Sequence, residues 1–137
     1  MILDIVKYQY PEVYEFLKEI ENKLRFEKKK RKIIVYLDEK ELLILNPRFG
    51  LFIPSINFAD FLYKAGKYIK IKEKDIEFIR KSKNLFKVNV EIFSENLNIF
   101  EDFAIVTNKV IGIGRTKIDF EEFSNSKKGL VAKVRKI

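Results

Sequence analysis

The sequence has 137 residues, 47% of them hydrophobic, and contains neither cysteine nor histidine. Thiol nucleophiles, the usual soft metal ligands and the side chain that titrates near neutral pH are therefore excluded. A formal net charge of +8 favours an anionic partner, most simply nucleic acid, with a membrane surface as the weaker alternative. No apolar run approaches the roughly 18 residues that span a bilayer, and no signal-peptide pattern is present, so we expect a cytoplasmic protein.

In the first half of the chain, the pattern predicts a helix followed by a hairpin. Apolar residues recur every three or four positions from Pro11 to Leu24, which predicts an amphipathic helix. Residues 33–37 and 42–45 are rich in aliphatic and β-branched side chains and predict two paired strands. A short extended segment over residues 48–55 and a short helix ending at Gly66 complete this half.

The pattern changes after Gly66, where we place a boundary between domains of residues 1–66 and 67–137. The second domain carries most of the excess charge, with 16 Lys and Arg against 10 Asp and Glu. Its predicted elements are strands at 68–71, 85–94, 103–107, 109–116 and 130–135, and helices at 74–83 and 119–123. This order predicts an α+β protein, in which a small helix–hairpin domain precedes a mixed β-barrel with helices at its ends.

The segment Val110–Lys117 contains two glycines followed by two cations. A dinucleotide-binding fingerprint needs a third glycine at position 117 and a long helix after it, and this sequence has neither. Gly112 and Gly114 instead predict a bulge or barrel bend at which the backbone comes close to another group. Arg115 and Lys117, with Lys127 and Lys128, are candidate phosphate contacts, and a solvated charged face is the alternative.

The first half contains two further candidates for RNA contact. The basic run Lys28–Lys32 is either a solvated linker between helix and hairpin or an auxiliary phosphate contact. Most of the 13 phenylalanines are expected in the core, with Phe78 a candidate for the buried face of its helix. Phe49 and Phe52 are the ones that could be exposed for base stacking.

The acidic residues do not predict catalysis. Pairs such as Glu101-Asp102 and Glu121-Glu122 are adjacent in sequence, so their side chains point in different directions instead of converging on one bond or ion. Helix-end and solvent-facing roles explain them better. We therefore expect a protein with no catalytic residues, no metal site and no cofactor.

The end of the chain resembles a PUA domain. The resemblance lies in the strands of residues 104–117, the short acidic helix of residues 119–123 and the final strand of residues 128–135. PUA domains contact RNA and carry no chemistry of their own. The resemblance therefore implies a PUA-like pseudo-barrel that binds RNA.

A longer stretch is similar to the Nip-seven family of large-subunit ribosome-biogenesis factors. Residues 48–52 and 61–72 resemble that family's junction between domains, and the helix–hairpin beginning agrees with an abbreviated form of its N-terminal domain. In the archaeal members, RNA binding is attributed to cations after the Gly-x-Gly strand and the last helix. By position these are Arg115, Lys117, Lys127 and Lys128.

The sequence departs from the PUA pattern at Asn89 and Glu91, where glycines are expected, although asparagine can adopt a left-handed conformation. The resemblance as a whole implies a non-catalytic protein that binds rRNA or its precursor, with possible ribosome-assembly partners on the N-terminal domain. Two alternatives stay open: an RNA-gripping partner of a tRNA or rRNA modification enzyme, and a protein–protein adaptor in an RNA-processing complex.

Overall fold

The computed structural model describes residues 2–46, 48 and 50–137, and the chain divides into two compact units, residues 1–61 and 62–137. The boundary predicted at Gly66 was inferred from the change in sequence pattern and stays a prediction. Among the described residues, no helix is both long enough and apolar enough to cross a bilayer.

The first unit packs helices on one four-stranded antiparallel sheet of order β1-β2-β3-β4. Its core is formed by apolar side chains from the helices and from β2 and β3, among them Val13, Leu17, Leu43 and Phe58. Short 3-10 turns lie at Glu21–Lys23 and Ile56–Phe58, and α3 runs across the boundary between the units. The elements are α1 (Ile2–Gln9), α2 (Pro11–Glu19), β1 (Leu24–Lys29), β2 (Lys32–Leu37), β3 (Lys40–Asn46), β4 (Leu51–Pro54) and α3 (Ala59–Lys64).

The predicted helix was too long and one strand was missed. The helix ends at Glu19, and Leu24 begins β1, which pairs with β2 from Leu24 opposite Leu37 to Lys29 opposite Lys32. The basic run Lys28–Lys32 is therefore the tip of a hairpin, and its interpretation as a linker between helix and hairpin was wrong. Edge strands are often polar, and β1 has little of the alternation that identifies a strand.

The second unit is a curled six-stranded sheet of order β6-β10-β9-β8-β5-β7, in which only the pair β5–β8 is parallel. Its core contains Ile69, Ile105, Phe103 and Val131, with α4 and α5 packed against the sheet. The elements are β5 (Tyr68–Ile71), α4 (Ile76–Ser82), β6 (Asn84–Phe86), β7 (Val90–Phe93), β8 (Asp102–Val106), β9 (Val110–Thr116), α5 (Phe120–Asn125) and β10 (Leu130–Lys136), with 3-10 turns at Glu73–Asp75 and Lys87–Asn89.

The strand predicted over residues 85–94 is two strands at opposite edges of this sheet. A 3-10 turn at Lys87–Asn89 separates them, and the buried Asn89 stabilises it: Oδ1 accepts from the Phe86 N–H at 3.0 Å, and Nδ2 donates to Asp75 at 3.2 Å. Asn89 is not among the positive-φ residues, so it does not use the left-handed conformation that asparagine allows, whereas Lys83, which ends α4, has φ 58°. Phe78 is 51% exposed, so its expected burial was wrong.

Candidate nucleic-acid interface

Three exposed cations lie on the outer face of β9 and β10, and one of them, Arg135, pairs with the carboxylate of Asp102. Arg115 of β9 lies opposite Lys133 of β10 on one side and opposite Asp102 of β8 on the other. Asp102 is buried, and its Oδ1 lies 3.5 Å from Nε of Arg135. Arg115, Lys133 and Arg135 are exposed. The Lys133 ammonium donates to Asn84 Oδ1 on β6, the neighbour of β10 on the side away from β9. An anion bound over Arg115 and Lys133 would be stabilised by both positive charges.

The two glycines of β9 allow β10 to approach closely. A Cβ on Gly114 would lie 2.6 Å from the Lys133 carbonyl oxygen and 2.8 Å from Cζ of Phe103. A Cβ on Gly112 would lie 2.6 Å from the carbonyl oxygen of Lys136. The structural role predicted for these glycines, a close approach of the backbone to another group, is confirmed, and that group is the backbone of β10.

Lys117 lies one residue beyond β9, where its N–H donates to the Val131 carbonyl at 2.8 Å. Its side chain is exposed, with Nζ 5.8 Å from the ring centroid of Phe100. Phe100 is itself 55% exposed and has a left-handed backbone, φ 59°. Such a pair can bind single-stranded RNA, because the ring can stack on a base while the cation contacts a phosphate.

Lys127 and Lys128 lie in the exposed loop between α5 and β10. Lys87 anchors this loop: its Nζ donates to the carbonyls of Phe123 and Ser126, and its N–H donates to the Gly129 carbonyl at 2.9 Å. The ammonium also lies 4.4 Å from the centroid of the Phe123 ring.

Among the four predicted site residues, the structure places Lys117, Lys127 and Lys128 at the end of the sheet where β9 finishes and β10 begins. Arg115 lies two residues before Lys117 on β9. Within the described residues, no hydrogen bond or ion pair joins these four side chains. Their role in RNA binding stays a prediction.

A cleft of about 570 Å³ lies toward the other end of the six-stranded sheet, near the turn between β8 and β9. Lys70, Lys72 and Lys74 line it, but so do Glu73 and Glu91. The Glu91 carboxylate lies 3.7 Å from Nζ of Lys70. Glu91, where the family resemblance implies a glycine, is thus paired with a lysine. Because the cleft contains two carboxylates, it is a weaker candidate for binding a polyanion than the face of β9 and β10.

Sequence reasoning missed Lys133, Arg135 and Phe100. The two cations alternate with buried residues along the final strand. This alternation was used to predict the strand, but not to identify its exposed cations as candidate phosphate contacts. Phe100 carries no local signal, because its exposure depends on how residues 94–101 cross the barrel. Phe52, a candidate for exposure, is only 3% exposed, and Phe49 lies outside the described residues.

The acidic residues have structural contacts. Glu101 accepts from the buried ammonium of Lys67 at 3.1 Å, and Asp119 accepts from the Glu122 N–H at 2.8 Å to cap α5. In the part of the chain that the structure describes, no group of three or more acidic side chains could hold a metal ion.

No family model matches the chain. An uncharacterised protein of Methanocaldococcus jannaschii is 31% identical over 86 residues, which cover 58% of this chain and only 18% of that protein. The similarity thus concerns a small part of a much longer relative.

Solved structures are similar at low identity. A conserved PUA domain protein of Thermoplasma acidophilum superposes with a TM-score of 0.68 at 14% identity, over 93% of this chain and 89% of that one. A chain of an H/ACA ribonucleoprotein bound to a substrate RNA superposes with a TM-score of 0.52 at 14% identity, over 95% of this chain and 33% of that one. The chain therefore has a PUA-like α+β fold.

Proposed function

We propose that this protein binds RNA without catalysing a reaction, and that the phosphate backbone lies along the outer face of β9 and β10. The observation that carries the proposal is the cross-strand pair Arg115 and Lys133, with Arg135 beside them. Lys117 and the loop cations extend this positive surface. Neutralising phosphates with such cations releases counterions, which provides affinity without base specificity.

The exposed Phe100 adds a preference for single strands. Its ring lies beside Lys117 at the end of β9, so a base could stack on the ring while its phosphate meets the ammonium. Base stacking on an aromatic side chain contributes about 1–3 kcal/mol per base. We accordingly assign RNA binding to the domain of residues 67–137.

We further propose a role in maturation of large-subunit rRNA. Support comes from the likeness of residues 48–52 and 61–72 to the junction of the Nip-seven family. The alternative, an RNA-gripping partner of a modification enzyme, is favoured by the fold shared with a chain of an RNA-bound H/ACA ribonucleoprotein.

Crosslinking the protein to RNA in its own cells and sequencing the bound fragments separates these two roles. Large-subunit rRNA or its precursor is the expected product, and recovery of tRNA would refute the rRNA role while leaving RNA binding intact. Recovery of no RNA above a protein-free control, together with no binding of a labelled single-stranded RNA at low salt, would refute the proposal as a whole.

A further inference from the structure

The first unit carries a concentrated positive charge that the proposed barrel interface does not use. Residues 1–61 are nearly neutral, with 11 Lys and Arg against 10 Asp and Glu. Five of those cations are the consecutive residues Lys28–Lys32 at the tip of the β1–β2 hairpin, and all five are exposed. The charge of this unit is therefore segregated at one end of its sheet.

This arrangement is unfavourable for the fold. Lys29 lies directly opposite Lys32, a like-charge pair across two strands. Lys30 has φ 53° in the turn, a left-handed conformation that glycine or asparagine adopts with less strain. Packing does not explain lysine at these positions, because the side chains are exposed.

Two neighbouring turns of the sheet form a cleft at this end. The cleft has a volume of about 470 Å³, and Lys28, Lys30, Arg31, Asn46 and Arg48 line it. Asn46 accepts from the Arg48 N–H at 3.0 Å, which stabilises the second turn. Among the described residues that line the cleft there is no carboxylate.

The strand next to the cleft does contain an acid. Glu27 lies 3.1 Å from Arg25 and 3.5 Å from Lys29, and its carboxylate raises the pKa of Lys29. Within the described residues, Lys28, Lys30 and Arg31 have no carboxylate within 4 Å, the ion-pair distance. Lys28, Lys30 and Arg31 thus line the cleft without a neighbouring carboxylate among the described residues.

We propose that this cleft is a second phosphate-binding site, which grips the backbone of an RNA independently of the barrel. Arg31 has the planar donor fork that fits a phosphate, and Lys28 and Lys30 add point charges. The residues of the tip contain no apolar side chain that could insert into a lipid interface, which favours RNA over a membrane. The charged side chains that line the cleft suit phosphate contacts, which carry no sequence information.

The test compares two triple variants of the full chain. Lys28→Gln/Lys30→Gln/Arg31→Gln removes the cleft cations, whereas Lys18→Gln/Lys23→Gln/Lys40→Gln removes the same charge from exposed positions elsewhere in the unit. Binding of a fluorescein-labelled single-stranded RNA is measured by anisotropy across a salt series.

Each phosphate contact contributes about 4-fold at about 0.15 M salt, if log K falls by roughly 0.7 per log unit of salt. The cleft variant should therefore bind about 50-fold more weakly, with a slope smaller by about 2, while the control should change by less than about 5-fold. Equal effects in the two variants refute the cleft.

A single variant distinguishes loss of a phosphate contact from misfolding. Lys30→Gly removes one contact and relieves the left-handed lysine, so RNA binding should weaken about 4-fold while the melting temperature rises. Unchanged binding with a raised melting temperature would contradict the proposal. Loss of affinity for phosphatidylserine vesicles with unchanged affinity for RNA would also refute it, in favour of a membrane.

The cleft and the barrel are tested separately. If the Arg115→Ala/Lys117→Ala protein still binds the single-stranded RNA and the cleft substitutions weaken that residual binding, the cleft is a site of its own. If the cleft variant behaves like its control while the barrel variant loses affinity, only the cleft is refuted, and the proposed function of the barrel stands.

Discussion

Replacing Arg115 and Lys117 with alanine should weaken RNA binding without disturbing the fold. Both side chains are exposed, and neither fills the core. Asp102 still has Arg135 beside it at 3.5 Å when Arg115 is removed. We therefore expect the free energy of unfolding to change by less than about 0.5 kcal/mol, the usual effect of a surface substitution.

The loss of affinity follows from the number of phosphates released. On single-stranded RNA each neutralised phosphate contributes about 0.7 to the slope of log K against log salt, so two lost contacts flatten the slope by about 1.4. Referred to about 0.15 M salt, each contact is a factor of about 4, and the double variant should bind roughly 15-fold more weakly, or about 1.6 kcal/mol.

The assay is fluorescence anisotropy of a labelled single-stranded RNA over a series of salt concentrations. The matched control, Lys74→Ala/Lys109→Ala, removes two exposed cations of the same unit near the other end of β9. The control should keep most of the slope. An unchanged slope in the Arg115/Lys117 protein, or an equal loss in the control, would refute a site at the end of β9.

Three predictions concern the scaffold, and equilibrium unfolding measures each. Gly114→Ala should destabilise the protein by about 2 kcal/mol or more, since the new Cβ meets backbone at 2.6 Å, whereas Gly50→Ala, with open space but φ 70°, should cost about 1 kcal/mol. Lys87→Met should cost about 1–2 kcal/mol, because the ammonium that holds two carbonyls at the end of α5 is lost, and faster amide exchange in the following loop would accompany it. Glu101→Gln should cost about 1–2 kcal/mol, because it removes the carboxylate from the buried Lys67. The loss should be smaller in a Lys67→Met background, and additive losses would contradict an interaction between the two side chains.

Sequence reasoning was most accurate where a strand has one buried and one solvated face. The hairpin of β2 and β3 and the strands β5, β9 and β10 were predicted within a few residues, because their apolar residues must face a core. It failed at β1, a polar edge strand, and at the break between β6 and β7. That break depends on the hydrogen bonds of Asn89, which join Phe86 and Asp75 and leave no trace in hydrophobic periodicity.

The candidate interface was only half predictable for a related reason. Motif position selected Arg115 and Lys117, which are near one another in sequence. Lys133 is 18 positions from Arg115, and only the register between β9 and β10 makes the two residues neighbours. A one-residue shift of that register would turn Lys133 into the barrel and bring its buried neighbours outward, so the cross-strand pair follows from strand pairing and not from composition.

The two cationic surfaces differ in whether a carboxylate offsets the repulsion between their positive charges. On the barrel, Arg115 lies opposite buried Asp102, whose carboxylate also lies 3.5 Å from Arg135, so the face has an internal counterion. In the cleft of the first unit, Lys28, Lys30 and Arg31 have no carboxylate beside them among the described residues, and Lys30 adds backbone strain. Removing charge from the cleft should therefore stabilise the free protein, whereas removing Arg115 should leave its stability nearly unchanged. Phosphate bound at either surface should raise the melting temperature. At the cleft, the stabilisation also includes relief of the repulsion between cations that is present in the free protein.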